Sequence, residues 1–163
     1  MSLKTAYLAG GCFWGLEELF RAEPGVVDTE VGYAGGDNAH PTYEYHPGHA
    51  ETLKITYDDT QTSYQKLLDF FFRVHDPTTK NRQGNDTGES YRSAIFYMSK
   101  EEKQIAEEVI RLTNLAGLYS GKVVTSLEPF KNFFAAEDYH QDYLQKNPSG
   151  YSCHFLRSEK PLV

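Results

Sequence analysis

The chemistry-bearing residues of this chain begin with a thiol. Cys12 stands in AGGCFWGLEE, residues 9–18, between Gly11 and the Phe13–Trp14 pair. Lys4–Ala9 reads as a short strand, Gly10 and Gly11 interrupt it, and Leu16, Leu19 and Phe20 fall at helical spacing. The thiol is therefore expected in the first turn of a helix. Backbone N–H groups without an intrahelical acceptor gather there, at the positive end of the helix dipole. Both effects lower a thiol pKa and populate the thiolate, which is the nucleophile. Gly11 and Gly15 leave the backbone open to close approach by another molecule or loop. Phe13 and Trp14 set apolar surface beside the sulfur. The competing reading is a small hydrophobe in the core, because free cysteine is among the most buried residue types.

A second group of reactive side chains fills GYAGGDNAHPTYEYHPGHAE, residues 32–51. Tyr33, Tyr43, Tyr45, Glu44, Glu51, His40, His46 and His49 all lie there. Hydroxyls and a carboxyl in one loop can hydrogen-bond a polar substrate oxygen, although a solvated loop with packed tyrosine rings has the same composition. His46, His49 and Glu51 are metal-ligand types, but their spacing matches no common zinc pattern, and no metal or other cofactor is expected. A third stretch, HDPTTKNRQGNDTGESYRS from His75 to Ser93, has no apolar pattern and reads as a functional loop. His75, His140 and His154 are expected to be structural hydrogen-bonders.

The elements that must position these groups follow from periodicity. Val26–Tyr33 and Glu51–Tyr57 read as strands, as do Ser93–Met98 and Val123–Leu127. Helices are expected up to the Glu23–Gly25 break and from Ser63, which caps Leu67, Leu68, Phe71 and Val74. Ser99 with Glu102 forms a capping box for a helix reaching about Leu115, and Ala135–Gln145 reads as a last helix stopped near Pro148. Strands and helices mix without strict alternation. The expected fold is α+β, a two-layer sandwich with a mixed, mainly antiparallel sheet, packed helices and a ferredoxin-like core. Three long polar stretches remain, Gly35–Ala50, Asp76–Tyr91 and Ser149–Val163. Loops of that length are more often functional than accidental.

With 163 residues, 39% hydrophobic and 14% aromatic, the chain suits one domain, residues 1–163, that needs no disulfide to hold its core. The net charge of −7 is interspersed, without a basic stripe, which argues against nucleic acid and anionic membranes as partners. No apolar run approaches the roughly 18–20 residues of a membrane span, and the opening residues are too short an apolar stretch for a signal peptide. A cytoplasmic location and a monomer are expected. In a reducing compartment the two cysteines, Cys12 and Cys153, are thiols with a task or core residues rather than a structural bridge.

Seven blocks resemble the A-type peptide methionine sulfoxide reductases: GCFWG (11–15), GYAGG (32–36), PTYE (41–44), GHAE (48–51), HDPTTKNRQGND (75–86), YRSAIF (91–96) and AEDYHQDYLQKNPSGY (136–151). They occur in the family's order and span nearly the whole chain. The resemblance implies reduction of the S epimer of methionine sulfoxide, free or in proteins, and hence repair of oxidised proteins. It implies Cys12 as the nucleophile and Glu51 as the acid that protonates the sulfoxide oxygen. Tyr43 and Tyr91 would hydrogen-bond that oxygen, and Asp86 would support the site through water. Phe13 and Trp14 would line a pocket for the methyl group. Glu51 can serve only if its pKa is raised toward neutrality, as partial burial in an aromatic site can do. Cys12 would become a sulfenic acid. Cys153, carried by a flexible tail (149–163), would condense with it to a disulfide that thioredoxin reduces. Ser152 separates Cys153 from Gly150–Tyr151, where many members place the cysteine directly. The alternative is direct reduction of the sulfenic acid by an external thiol.

Two other classes compete. A cysteine hydrolase using Cys12 with His49 as base would act on esters or amides without a reductant. A redox-sensitive binding module, switched by Cys12 and Cys153, would bind peptide without turnover.

Overall fold

The computed structural model describes residues 2–162; Met1 and Val163, the outermost residues of the expected domain and tail, lie outside the described residues. The elements in chain order are β1 (Leu3–Gly10), α1 (Phe13–Arg21), β2 (Val26–Ala34), β3 (Ala50–Asp58), α2 (Tyr64–Val74), β4 (Arg82–Gln83), β5 (Asp86–Thr87), β6 (Ser93–Tyr97), α3 (Lys100–Ala116), β7 (Ser126–Pro129), β8 (Phe134–Ala135) and α4 (Tyr143–Lys146). One sheet runs in the order β7-β6-β1-β3-β2-β8, antiparallel throughout except for β6 against β7. Its centre, β1-α1-β2-β3-α2-β6, is the expected ferredoxin-like core. The parallel pair β6–β7 needs a crossover, which α3 supplies.

Alternation along the strands sorts the sheet's two faces. Ala6 and Leu8 on β1, Val31 and Tyr33 on β2, Leu53 and Ile55 on β3, and Ile95 on β6 bury against the helices. Ala9, Ala34, Ala94 and Phe96 face the other way, where Phe130 and Phe133 cover them. From α1 come Phe13, Leu16 and Phe20, all fully buried. Each such side chain contributes roughly 1.5–3 kcal/mol relative to exposure. Ser63 Oγ accepts the Lys66 N–H at 3.1 Å and starts α2. All of Phe70, Phe71 and Phe72 are buried, because α2 is covered by the sheet, by α3 and by the tail. Ser99 Oγ accepts the Glu102 N–H, and Glu102 reaches back to the Met98 N–H, so the capping box forms one residue wide of its usual closure.

Two sequence expectations are corrected. The strand expected at Val123–Leu127 is Ser126–Pro129. Val123 and Val124 give their N–H groups to Asn114 Oδ1 and Pro77 O, so pairing with β6 begins only at Ser126. The helix expected over Ala135–Gln145 is absent as such. Phe134–Ala135 pair with Gly32–Tyr33, and the Ala136 N–H bonds Val31 O. The Gln141 side-chain amide then accepts from the Val31 N–H at 2.9 Å and donates to Val31 O at 2.8 Å, finishing the β2 edge. Asp142 adopts φ +54°, so only the single turn Tyr143–Lys146 is α-helical. The hydrogen-bonding demand of an exposed edge overrides the local helical spacing.

Candidate active site

The site forms where β1 hands over to α1. Gly11, at φ +95°, turns the chain, and a Cβ there would lie 2.5 Å from Gln83 Cγ. Cys12 follows as the residue just before the first helical turn, with φ −55° and ψ 123°. Glu51, near the start of β3, lies opposite Tyr33 on β2, on the face that meets the helices. Its Oε1 accepts the Phe13 backbone N–H at 3.1 Å. A carboxyl from 38 residues away therefore occupies one of the free N–H groups at the start of α1.

That capture changes the electrostatics of the thiol. Cys12 is 5% exposed. Burial pushes its pKa up, and the neighbouring Glu51 adds to the rise; the Trp14 backbone N–H opposes them. The sequence expectation of a lowered thiol pKa is thus corrected. The helix start does favour an anion, but desolvation outweighs it and Glu51 competes for the same donors. Glu51 is itself 1% exposed, and burial raises its pKa to about 8, with the Phe13 N–H pulling down and Asp86 pushing up. At neutral pH a protonated carboxyl and a protonated thiol stand at the same helix end.

Two phenols complete the polar side. Tyr43 and Tyr91 are half-buried, and neither hydroxyl bonds another side chain or backbone group among the described residues. Burial first, and then the Glu51 charge, lifts the Tyr43 pKa to about 12 and raises that of Tyr91 as well. Tyr91 closes a short 3-10 turn, Glu89–Tyr91, just before β6. Tyr43 is held by its backbone: its N–H donates to Glu137 Oε2 at 3.0 Å, while Glu137 Oε1 accepts the Tyr33 hydroxyl at 2.8 Å. Asp86, on the hairpin β4–β5, accepts the Tyr151 hydroxyl at 3.3 Å, and burial raises its pKa.

The apolar side is an aromatic box. Trp14 stacks on Tyr143 at 3.8 Å with 9° between planes, and its Nε1–H donates to His140 Nδ1 at 2.9 Å. The His140 ring lies 4.3 Å from Tyr43 and 5.2 Å from Phe13. Phe13 is wholly buried, so it forms the floor of the box, and the half-buried Trp14 is the more accessible wall. Glu17, in the second turn of α1, is a buried clamp. It accepts Thr29 Oγ1–H and the Asp142 N–H, both at 2.9 Å, and thereby fixes α4 and Tyr143 against α1.

Cys153 and Cys12 are both free thiols. Cys153 is half-buried, with Sγ 3.9 Å from Gln83 O, and each sulfur lies within electrostatic reach of Asp86. The tail that carries it is tied to α2: the Arg157 N–H donates to Arg73 O at 2.8 Å and the Leu162 N–H to Asp69 Oδ1 at 2.6 Å. Arg73 and Asp69 pair at 2.9 Å. His49 is not placed as a base for Cys12. Its Nδ1 accepts the Gly36 N–H and its Nε2 donates to Asn38 O, which removes the hydrolase arrangement. His75 bonds Phe71 O and Ser93, a structural role as expected. Among the described residues no group of three His, Cys, Asp or Glu side chains could hold a metal ion, and no helix is long and apolar enough to cross a membrane.

The family model for peptide methionine sulfoxide reductase matches residues 4–161. The chain belongs to that family. It is 60% identical over 159 residues to the peptide methionine sulfoxide reductase MsrA of Mycobacterium sp. (strain MCS), covering 98% of this chain and 93% of the relative. Among solved structures it is similar to reduced Mxr1 of Saccharomyces cerevisiae, with TM-score 0.84 and 41% identity over 96% of this chain and 93% of that one. Mxr1 in complex with Trx2 matches with TM-score 0.67 and 30% identity, over 96% and 91%. In this reductase, a thiol-dependent oxidoreductase, the expected side chains lie together: the charges of Glu51 and Asp86 reach Cys12, Tyr43 and Tyr91. Sequence reasoning assigned no part in the site to Glu137, His140, Tyr143, Gln83 or Tyr151. Glu137, His140, Tyr143 and Tyr151 lie in the block 136–151, which carried the resemblance without an assigned role, and Gln83 lies three residues before Asp86 in the block 75–86.

Proposed function

We propose that this reductase converts the S epimer of methionine sulfoxide, free or in proteins, to methionine through a sulfenic acid on Cys12. Cys153 then closes a disulfide, and thioredoxin reduces it. The observation that carries the reading is the buried Glu51 carboxyl held at the Phe13 N–H beside Cys12, its pKa raised to about 8, in a site with two tyrosine hydroxyls that no group among the described residues uses. A sulfoxide sulfur is a poor electrophile until the charge growing on its oxygen is met. Hydrogen bonds from Tyr43 and Tyr91 and the proton of Glu51 meet that charge.

The step balances. Glu51 gives its proton to the sulfoxide oxygen, and the resulting carboxylate takes the Cys12 proton. The sulfur of Cys12 takes over the oxygen and is oxidised to the sulfenic acid, while the substrate sulfur keeps an electron pair and becomes the sulfide. The raised thiol pKa fits this order: Cys12 is released as a nucleophile only when the substrate oxygen has accepted the Glu51 proton. Asp86, tied to Tyr151, supports the polar side through water. Phe13 and Trp14 enclose the methyl group. A pyramidal sulfur held by its oxygen on one side and its methyl on the other admits one hand. The Cys153 thiol then displaces the sulfenic oxygen as water, forming the S–S bond. The yeast relative solved with Trx2 supports a thioredoxin as the dithiol that restores both thiols. The chain works as one catalytic domain, residues 1–163, with the tail delivering Cys153.

The test is turnover of separated S and R epimers of a methionine sulfoxide peptide with dithiothreitol, by wild type and Cys12→Ser. Turnover of the S epimer alone, abolished in the variant, is the expected result. Equal turnover of both epimers, or activity without Cys12, overturns the reading.

A further inference from the structure

His154, the residue after the second thiol, is built into the start of the catalytic helix. Its Nε2 lies 2.6 Å from the Gly10 carbonyl oxygen. A carbonyl only accepts, so Nε2 carries the hydrogen and Nδ1 keeps its lone pair. Gly15 makes room for the ring: a Cβ there would stand 2.5 Å from His154 Nδ1 and 2.5 Å from Ser152 Oγ. Gly11, the turn into Cys12, lies on another side, where a Cβ would come 3.6 Å from Nε2. The imidazole thus fills a socket whose walls are the residues on either side of Cys12. Cys153 Sγ lies 3.9 Å from His154 Nδ1 and 3.9 Å from Gln83 O, so its hydrogen has two acceptors within reach. On its far side, a Cβ at Gly84 would meet the Cys153 Cβ at 3.2 Å.

We propose that His154 is the positioning residue of the resolving step: it docks the tail in the Gly10–Gly15 socket and holds the Cys153 thiol toward its own Nδ1. The proposal rests on Cys153 being the resolving thiol. In that step the Cys153 sulfur supplies the electron pair of the new S–S bond. The S–O bond of the Cys12 sulfenic acid breaks, and the hydroxyl leaves as water with the thiol hydrogen that Nδ1 has held. Burial keeps His154 neutral, with its pKa lowered to about 4, so the lone pair is present throughout the physiological range. The ties of Arg157 and Leu162 to α2 hold the rest of the tail, leaving residues 147–153 as the span that must adjust.

The experiment mixes one equivalent of S-sulfoxide peptide with reduced enzyme, without reductant, and follows methionine formed and free thiol remaining by rapid quench. In His154→Ala, methionine forms at the wild-type rate, while disulfide closure slows at least about tenfold and thioredoxin-supported kcat falls with it. His154→Gln, whose amide N–H can reach Gly10 O, recovers most of the closure rate. Gly15→Ala, a change that a helix otherwise favours, reproduces the defect by filling the socket. Wild-type closure in both His154→Ala and Gly15→Ala, with Cys153→Ser forming no disulfide, overturns the proposal. So does a parallel loss of methionine formation and thermal stability in His154→Ala, which marks a merely structural role. Wild-type thioredoxin turnover by Cys153→Ser overturns the underlying reading instead.

Discussion

Glu51→Gln separates the chemistry of the site from its stability. Glutamine preserves shape, and its carbonyl oxygen can still accept the Phe13 N–H that Glu51 accepts at 3.1 Å. It cannot release a proton to the sulfoxide. Loss of a positioned acid costs roughly 10²–10⁴-fold in rate. With the Glu51 pKa at about 8, wild-type methionine formation falls as pH rises through that value, and the Cys12 thiol ionises too high to cause that limb. The variant is slow and lacks the limb.

The same pKa carries a stability cost of opposite sense. Folding raises Glu51 from 4.5 to about 8, so between those values the native state holds a proton that the unfolded chain has released. Native stability therefore declines with rising pH across that window, by about 1.4 kcal/mol per unit, or roughly 3 kcal/mol by pH 7. Below pH 4.5 both states are protonated and the difference vanishes. Urea unfolding of wild type and Glu51→Gln from pH 4.5 to 8, beside single-turnover rapid quench from pH 6 to 9, checks both arms. The stability of the variant relative to wild type should grow by roughly 3 kcal/mol from pH 4.5 to pH 7, while its rate stays far below that of wild type. A variant within threefold of wild type at pH 7, or one with the same alkaline limb, refutes the reasoning.

Tyr43→Phe and Tyr91→Phe should each lower single-turnover methionine formation by about 10- to 100-fold with little change in thermal stability, because neither hydroxyl bonds a group among the described residues; rates within twofold of wild type would remove the tyrosines from oxygen binding. Ser63→Ala removes the acceptor for the Lys66 N–H and should cost about 1 kcal/mol in urea unfolding without altering kcat, since α2 lies behind the sheet-facing core and not in the site.

What could be read from the sequence was what neighbours along the chain decide. Glu51–Tyr57 could be read as a strand from its own residue types, and Ser63 marked the start of α2 because its partner, the Lys66 N–H, lies three residues on. The Ala135–Gln145 helix failed because Gln141 serves Val31, 110 positions away, and a helix cannot place both ends of its amide on a strand edge. The thiol pKa failed for the same kind of reason. Local reasoning saw free N–H groups at Cys12, but not the burial that dominates the rise, nor Glu51, which arrives across the sheet and takes one of those groups. The residue types of the site were legible as a thiol and an oxygen-rich loop. Their roles came from resemblance, since spacing alone could not bring Glu51 to Phe13.

The glycines of GCFWG join these two halves of the site. Gly11 and Gly15 read as openings for another molecule or another loop, and the loops that fill them are the molecule's own: Gln83 at Gly11, Ser152 and His154 at Gly15. That leaves the side of Cys12 toward Trp14, Tyr43 and Tyr91 for substrate, while the tail that carries Cys153 already occupies the Gly15 flank. In the proposed cycle, a sulfenic acid on Cys12 would face departing methionine on one side and the Cys153 thiol on the other. Such an arrangement would let one buried sulfur serve two partners in sequence without exposing Glu51, whose burial keeps it protonated.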